Sequence, residues 1–350
     1  MAKKTALVAG ALGVVGRATM TYLNELDDWN VIGLSRRAPD FKTDARFHQL
    51  DLTDADACRT VLGDIHDITH VFYCAYAPRL TFADEVDVNL AMLRNLIAAL
   101  LPTLPSLDHV QLVHGSKWYG CHVGPYKTPA REDDPRSLVP CFYYAQQDWL
   151  EAHQRGQSWS WSALRPHGIC GFAVGSPISQ LTILATYGSI CAHLGLPLRF
   201  PGKPGAFSAL YQTTEATFLA EAMTWIATAP QCANEAYNVT NGDFIRWEQL
   251  WPEFARFFGT TPGPVQTLNL VAYMANKGAL WEKIRVKHNL RDYRLEALAN
   301  WSFADWLYGT DYDIMSSTTK LRQAGWNKVV DSQTMYLKLL QELREDAIIP

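Results

Sequence analysis

Glycines at positions 10, 13 and 16 follow directly on a short apolar run, Thr5-Ala6-Leu7-Val8-Ala9, and precede an amphipathic one. The pattern predicts strand, tight turn and helix at the very start of the chain. Gly10 and Gly13 let the backbone approach a pyrophosphate, and Gly16 lets helix and strand pack closely. The first amides of such a helix have no partner within it and are available to phosphates. Gly10, Leu12, Gly13, Val14, Val15 and Gly16 are therefore expected to hold a dinucleotide. The competing reading is an ordinary glycine turn in some other α/β protein.

Val31-Ile32-Gly33-Leu34-Ser35 reads as a second buried strand, about twenty residues beyond the glycines, where an NAD site usually carries an acidic residue for the ribose hydroxyls. Here the sequence is Ser35-Arg36-Arg37. Guanidinium groups pair with a 2′-phosphate, whereas a carboxylate repels it. The expected cofactor is NADPH/NADP+ rather than NADH. The alternative is a pair of solvated arginines.

Arg46 to Leu52 fits a third strand, with Thr53 or Asp54 capping a helix from Ala55 to about Leu62. His70 to Ala77 fits a fourth, with Ala75, Tyr76 and Ala77 ending beside the cofactor. Asp87 to Leu101 has helical periodicity, closed by Pro102 and Pro105. His109 to Gly115 fits a fifth strand. Ser116-Lys117-Trp118-Tyr119-Gly120 continues into a loop at the carboxyl end of the sheet, where open α/β sheets place their chemistry. A helix from Phe142 to about Arg155 and a sixth strand, Trp159 to Pro166, follow. This alternation predicts an α/β, Rossmann-type doubly wound parallel sheet.

Beyond residue 172 the alternation loosens. Gln180 to His193, Thr214 to Ala229, Trp247 to Phe258, Val271 to His288 and Ser332 to Glu345 read as helices. Leu198 to Gly202 and Ala236 to Gly242 read as short strands. The expected division is an NADPH-binding domain over 1–170 and a smaller, mainly helical substrate lobe over 171–350, interleaved with the first.

The net charge of −4, with no basic block, argues against nucleic acid as a partner. No apolar run reaches the length of a membrane span, so no membrane partner is expected. Met1-Ala2-Lys3-Lys4 leads straight into the first strand, leaving no room for a signal peptide. Seven scattered cysteines form no C-x-x-C pair, so no metal site is expected, and reduced thiols in a cytoplasmic protein are. Twelve tryptophans and fifteen tyrosines suit either a deep apolar pocket or a dense core.

Dehydrogenases of this architecture usually pair an active tyrosine with a lysine four residues on, which lowers the phenol pKa and holds the ribose. Tyr143 is followed at that spacing by Gln147, and Tyr144 by Asp148. Either the site is dead or a cation comes from elsewhere, and Lys117, on the loop after the fifth strand, is the obvious supplier.

Several stretches carry a resemblance. They are the glycine turn; Ser35-Arg36-Arg37; Gly115-Ser116-Lys117-Trp118-Tyr119-Gly120; Phe142-Tyr143-Tyr144 with Asp148; Leu164 to Phe172; and Asn234 to Asp243. In them the chain resembles the progesterone 5β-reductase/iridoid synthase-like enzymes, an atypical branch of the extended short-chain dehydrogenases. The resemblance implies NADPH-dependent reduction of the C=C bond of activated enones or enals. It makes Lys117 and Tyr143 the essential pair, with Tyr144 the alternative. It also puts Asp51 and Leu52 beside the adenine, and Pro166, Gly168 and Ile169 along the nicotinamide.

The chemistry agrees. Hydride addition to the β-carbon of an enone builds negative charge on the carbonyl oxygen, and a phenol aimed there is worth roughly 3–4 kcal/mol. Lys117 would fix the tyrosine or the ribose and supply positive potential. Tyr76, Trp118, Tyr119, Phe172 and Tyr211 are candidate walls of the substrate pocket. His114 and His167 are read as structural. Many enzymes of this fold are homodimers, but no exposed apolar stripe in the sequence marks a homodimer interface, and the oligomeric state stays open. The competing functions are an NADPH-dependent carbonyl reductase or sugar-nucleotide epimerase, and a non-catalytic NADP-sensing regulator.

Overall fold

The computed structural model describes residues 3–176 and 178–350; Met1 and Ala2, on which the expectation about a signal peptide partly rests, lie outside them. Contacts divide the chain into two compact units. One comprises Met1–His167, Ala216–Val239 and Ser317–Asn327; the other comprises Gly168–Glu215, Thr240–Ser316 and Lys328–Pro350. Two segments beyond the 1–170 span thus return to the first unit.

The first unit is built on a seven-stranded sheet of β1 (Lys4–Ala9), β2 (Trp29–Ser35), β3 (Arg46–Gln49), β4 (His70–Tyr73), β5 (His109–Val113), β6 (Ser160–Pro166) and a seventh strand, Glu235–Val239. The order across the sheet is seventh-β6-β5-β4-β1-β2-β3, and every pairing is parallel. A parallel sheet must be covered on both faces. Leu7, Ile32, Leu34, Val71, Val110 and Leu112 pack with Leu62, Leu93, Leu96, Ile97 and Leu150 of α2 (Ala55–Leu62), α3 (Phe82–Leu100) and α4 (Phe142–Gln154). Helix α1 (Val14–Asn24) packs on helix Ala216–Thr228, where Thr19 meets Met223, and Met223 accepts a 3.1 Å hydrogen bond from Gln111 of β5.

Three local expectations need correction. The fourth strand stops at Tyr73 rather than Ala77, because the chain must peel away over the glycine turn: a Cβ on Gly10 would lie 2.7 Å from the Ala75 nitrogen. The third strand stops at Gln49, because Asp51 turns to accept bonds from the amide and hydroxyl of Thr53 at 2.9 and 2.8 Å. Helix α3 begins at Phe82, not Asp87, with Thr81 accepting the Asp84 amide. Extended through Thr103, this helix is long and apolar enough by composition to cross a membrane, contrary to the sequence expectation. Asp87 and Arg94 interrupt the run in sequence, and here Leu93, Leu96, Ile97 and Leu100 pack into the core.

The second unit holds helices Gln180–His193, Trp247–Phe257 and Ser332–Glu345, each within a residue of expectation. The single helix expected over Val271 to His288 is two, Leu270–Met274 and Gly278–Lys287. Phe200, Trp251 and Tyr308 pack edge-on at 5.0–5.9 Å, as do Trp251 and Phe254, and Phe254 and Tyr336. Much of the aromatic load is therefore plain core.

Candidate active site

The turn after β1 has the geometry its glycines imply. Gly10 adopts a φ of +79°, which glycine alone takes without strain. A Cβ on Gly16 would lie 2.2 Å from the Gly10 carbonyl oxygen, so only glycine lets α1 sit this close to the strand. Gly13 caps α1 without a side-chain bond, and the first turn holds no acidic residue, so nothing of the helix's own covers its amino end. Leu12 is buried, while Val14 and Val15 are half-buried.

Ser35 ends β2, and Arg36 and Arg37 are exposed beyond it. Asp51 lies within the field of Arg36, but the two bonds from Thr53 are the main reason its carboxyl is held below the usual range. Leu52 is buried and its carbonyl accepts a 2.8 Å bond from Asn95 of α3.

On the next two strand ends, the loop after β4 carries Ala75, Tyr76 and Ala77. The buried Asn89 of α3 clamps Ala77 at both its amide and its carbonyl, at 2.8 and 3.0 Å. The Tyr76 hydroxyl donates to Glu85, and its ring stacks on Phe142 at 5.5 Å. After β5, Ser116–Tyr119 forms one 3-10 turn. It places the Lys117 ammonium 5.9 Å from the Tyr76 ring and 5.0 Å from the Phe82 ring. Among the described residues Lys117 has no ion pair or side-chain hydrogen bond.

Tyr143 lies in the first turn of α4. Its ring meets Phe142 at 4.5 Å and stacks on His114 at 4.6 Å. Its hydroxyl stands over Gly115: a Cβ there would lie 3.3 Å from it and 3.4 Å from the Pro166 carbonyl oxygen. No side chain or backbone group among the described residues bonds this hydroxyl. Burial pushes the phenol well above its ordinary range, and neighbouring Cys141 and Tyr76 add to this, so it stays protonated. Tyr144 differs. Its hydroxyl donates to the Trp118 carbonyl and accepts the Ser137 amide at 3.0 Å. Gln147, one turn after Tyr143, donates to Glu151 at 2.8 Å. Burial, and then the charge on Arg165, hold His114 well below its usual value; burial takes His167 to about 3, with Nδ1 bonded to Ser116. Both imidazoles are neutral.

Against known proteins, residues 43–350 match the PRISE-like Rossmann-fold domain. The chain belongs to this family. It is 32% identical to an (S)-8-oxocitronellyl enol synthase of Camptotheca acuminata, covering 99% of this chain and 94% of that one. It is 32% identical to a 3-oxo-Δ(4,5)-steroid 5-β-reductase of Arabidopsis thaliana over the same shares. A short-chain dehydrogenase of Penicillium aethiopicum is 31% identical, covering 99% of both. Among solved structures, the UDP-glucose 4-epimerase of Thermotoga maritima with UDP-glucose superposes with a TM-score of 0.69 at 15% identity, over 97% of this chain and 99% of that one. That of Thermus thermophilus in complex with NAD gives 0.67 at 17%, over the same shares. These last two likenesses establish the fold.

In this PRISE-like chain, two of the expected pocket walls face inward. Trp118 is 3% exposed, with the buried Arg165 guanidinium 3.7 Å from its ring centre. The Tyr119 hydroxyl donates to Asn238 at 2.7 Å and accepts from Arg165 at 3.1 Å. In the second unit, Tyr211 is buried against Trp247 and donates to Gln180 at 3.1 Å, while Phe172 is half-buried, 6.3 Å from the Tyr293 ring. Gly168 takes a φ of +52°, and Ile169 pairs with Thr214 in a short two-stranded ladder. A cavity of about 430 Å³ opens elsewhere on the first unit, beside Gln147, Glu151, Arg165 and Lys320, and includes neither Lys117 nor Tyr143. The sequence reading missed Glu85, Asn89 and Gly115 as site-shaping residues. The signal for the first two was Thr81-x-x-Asp84, a helix start that brings Glu85 and Asn89 onto one face.

Proposed function

We propose that this protein reduces the C=C bond of activated enones or enals with NADPH. The observation that carries the proposal is the Tyr143 hydroxyl, protonated and over Gly115 without a partner among the described residues; Lys117, two residues beyond Gly115, is likewise without an ion pair or side-chain hydrogen bond among them. The activities of the plant relatives support it: one is an (S)-8-oxocitronellyl enol synthase and the other a 3-oxo-Δ(4,5)-steroid 5-β-reductase.

The residues around the glycine turn fit a dinucleotide. The uncovered amino end of α1 would take the pyrophosphate, and the exposed Arg36 and Arg37 would take a 2′-phosphate. Asp51 and Leu52 would flank the adenine, while Ala75, Ala77 and Pro166 would lie along the rest. NADPH held there would supply the hydride for the β-carbon of the substrate.

As that carbon is reduced, charge moves to the carbonyl oxygen. Tyr143 donates a hydrogen bond to the oxygen and keeps its proton, because burial makes the phenolate costly. Lys117 adds a positive potential, since no carboxylate among the described residues forms an ion pair with it. Water suffices to protonate the α-carbon, so no lysine one turn after Tyr143 is needed, and Gln147 is tolerated there.

The test is NADPH oxidation with 2-cyclohexen-1-one compared with cyclohexanone. Turnover with the enone alone supports the proposal. Turnover with the saturated ketone alone makes the protein a carbonyl reductase, and turnover with neither favours a nucleotide-sensing role.

A further inference from the structure

Glu85 lies in the first turn of α3, is 4% exposed, and has no part in the reaction as written above. Its carboxyl group accepts the Tyr76 hydroxyl. Its backbone carbonyl accepts a 2.8 Å bond from Asn89, the side chain that also clamps Ala77. Tyr76 is thereby tied to α3 through its own hydroxyl and through the residue after it. One ring then has three neighbours: Glu85 at the hydroxyl, Phe142 stacked at 5.5 Å, and the Lys117 ammonium 5.9 Å from its centre.

A buried carboxylate and an unpaired ammonium share one tyrosine, yet they do not pair. Glu85 is buried, Lys117 half-buried and Tyr76 39% exposed, so at this partly wet edge opposite charges still attract more strongly than in bulk water. A buried carboxylate left without a donor is also expensive. The Tyr76 phenol removes both drives: its hydroxyl satisfies the carboxylate, and its π face offers the ammonium a weaker contact that leaves the charge in place.

We propose that Tyr76 shields Glu85 from Lys117, so that the ammonium remains available to the reacting oxygen instead of being neutralised by an internal ion pair. Tyr76 and Glu85 are positioning residues in this scheme. The idea rests on the reading of Lys117 given under the proposed function. Burial and the negative charge of Glu85 hold the phenol above its ordinary range, so Tyr76 remains the donor. The consequence is specific: removing the hydroxyl alone harms the site more than removing hydroxyl and carboxylate together.

Wild type, Tyr76→Phe, Glu85→Gln and Tyr76→Phe/Glu85→Gln are compared by two readouts. The first is the rate of Lys117 acetylation by acetic anhydride at one mildly alkaline pH, followed by peptide mass spectrometry. The second is kcat and KM for 2-cyclohexen-1-one with NADPH. Tyr76→Phe is expected to slow acetylation several-fold and to lower kcat by about tenfold, as the freed carboxylate captures the ammonium. Glu85→Gln is expected to leave the acetylation rate unchanged. The double variant is expected to recover both readouts to within about twofold of Glu85→Gln, whereas loss of a purely structural bond would show no recovery.

An unchanged acetylation rate in Tyr76→Phe overturns the proposal, as does a double variant no better than Tyr76→Phe. Faster acetylation in Glu85→Gln also overturns it, because Glu85 would then already pair with Lys117. If acetylation follows the expected order but Lys117→Met turns over like wild type, the shielding stands and the catalytic reading of Lys117 fails.

Discussion

The hydroxyl of Tyr144 is donated to the carbonyl oxygen of Trp118, the residue that follows Lys117. The Tyr144 hydroxyl oxygen in turn accepts the Ser137 amide at 3.0 Å. Tyr144 therefore ties α4 to the lysine loop, while the hydroxyl of Tyr143 stays clear over Gly115. Of two tyrosines adjacent in sequence, one hydroxyl is committed to structure and the other has no partner among the described residues.

Their phenylalanine variants should separate accordingly. Tyr143→Phe is expected to lower kcat with an enone by roughly 10²-fold or more, with NADPH affinity and Tm unchanged. Tyr144→Phe is expected to lower stability by about 1–2 kcal/mol through the lost bonds, with a smaller effect on kcat at temperatures where the protein stays folded. Steady-state kinetics and thermal unfolding on the same preparations decide it; the opposite pattern would reassign the donor to Tyr144.

The glycine turn makes a graded prediction. Gly16→Ala forces a Cβ to 2.2 Å from the Gly10 oxygen, and Gly10→Ala strains a φ of +79° and crowds Ala75. Both should lower Tm and abolish nucleotide binding. Gly13→Ala brings its Cβ no closer than 3.4 Å to the Gly10 oxygen, an ordinary contact. It should fold normally and weaken binding only where phosphate would lie. Calorimetric titration with NADP+ beside melting curves measures both effects.

Arg36 is exposed at the end of β2, where only a 2′-phosphate would distinguish the two cofactors. Arg36→Ala should weaken NADPH by about tenfold and leave NADH nearly unaffected, the loss of one charge-assisted bond to phosphate. Equal loss for both cofactors in fluorescence titrations would remove the 2′-phosphate argument.

Acid stability should reflect the buried imidazoles. Burial lowers His109 and His167 from 6.5 to about 3 and His70 to about 4. The unfolded chain then takes up protons that the native state refuses. Stability is complete above pH 6.5 and falls as the pH drops below it, by about 1.4 kcal/mol per pH unit for each such histidine. The fall for each ends near its lowered native value. Urea unfolding between pH 7 and 5 should show this slope, and His109→Gln should reduce it by one histidine's share. A flat profile over that range would contradict the burial of these rings.

The local grammar of this chain was legible. Helices Ala55–Leu62, Gln180–His193 and Ser332–Glu345 lie where periodicity and capping residues put them, because caps and apolar spacing act within a few residues. The close approach of Gly16 to Gly10 follows from spacing alone, since both ends of that contact lie within one turn. Partner choice was not legible. Ala236 to Gly242 reads as a strand, but only folding decides that the strand formed, Glu235–Val239, extends the sheet beside β6 while the segments on either side of 216–239 join the second unit. Trp118 and Tyr119 read equally well as pocket walls, and the buried Arg165 claims them. Tyr143 and Tyr144 stand only about 100° apart on one helix, and nothing within the helix says which hydroxyl will be satisfied. That depends on Trp118 and Ser137, brought from other segments by tertiary packing, because hydrogen bonds and charge respond to distance in space and not along the chain.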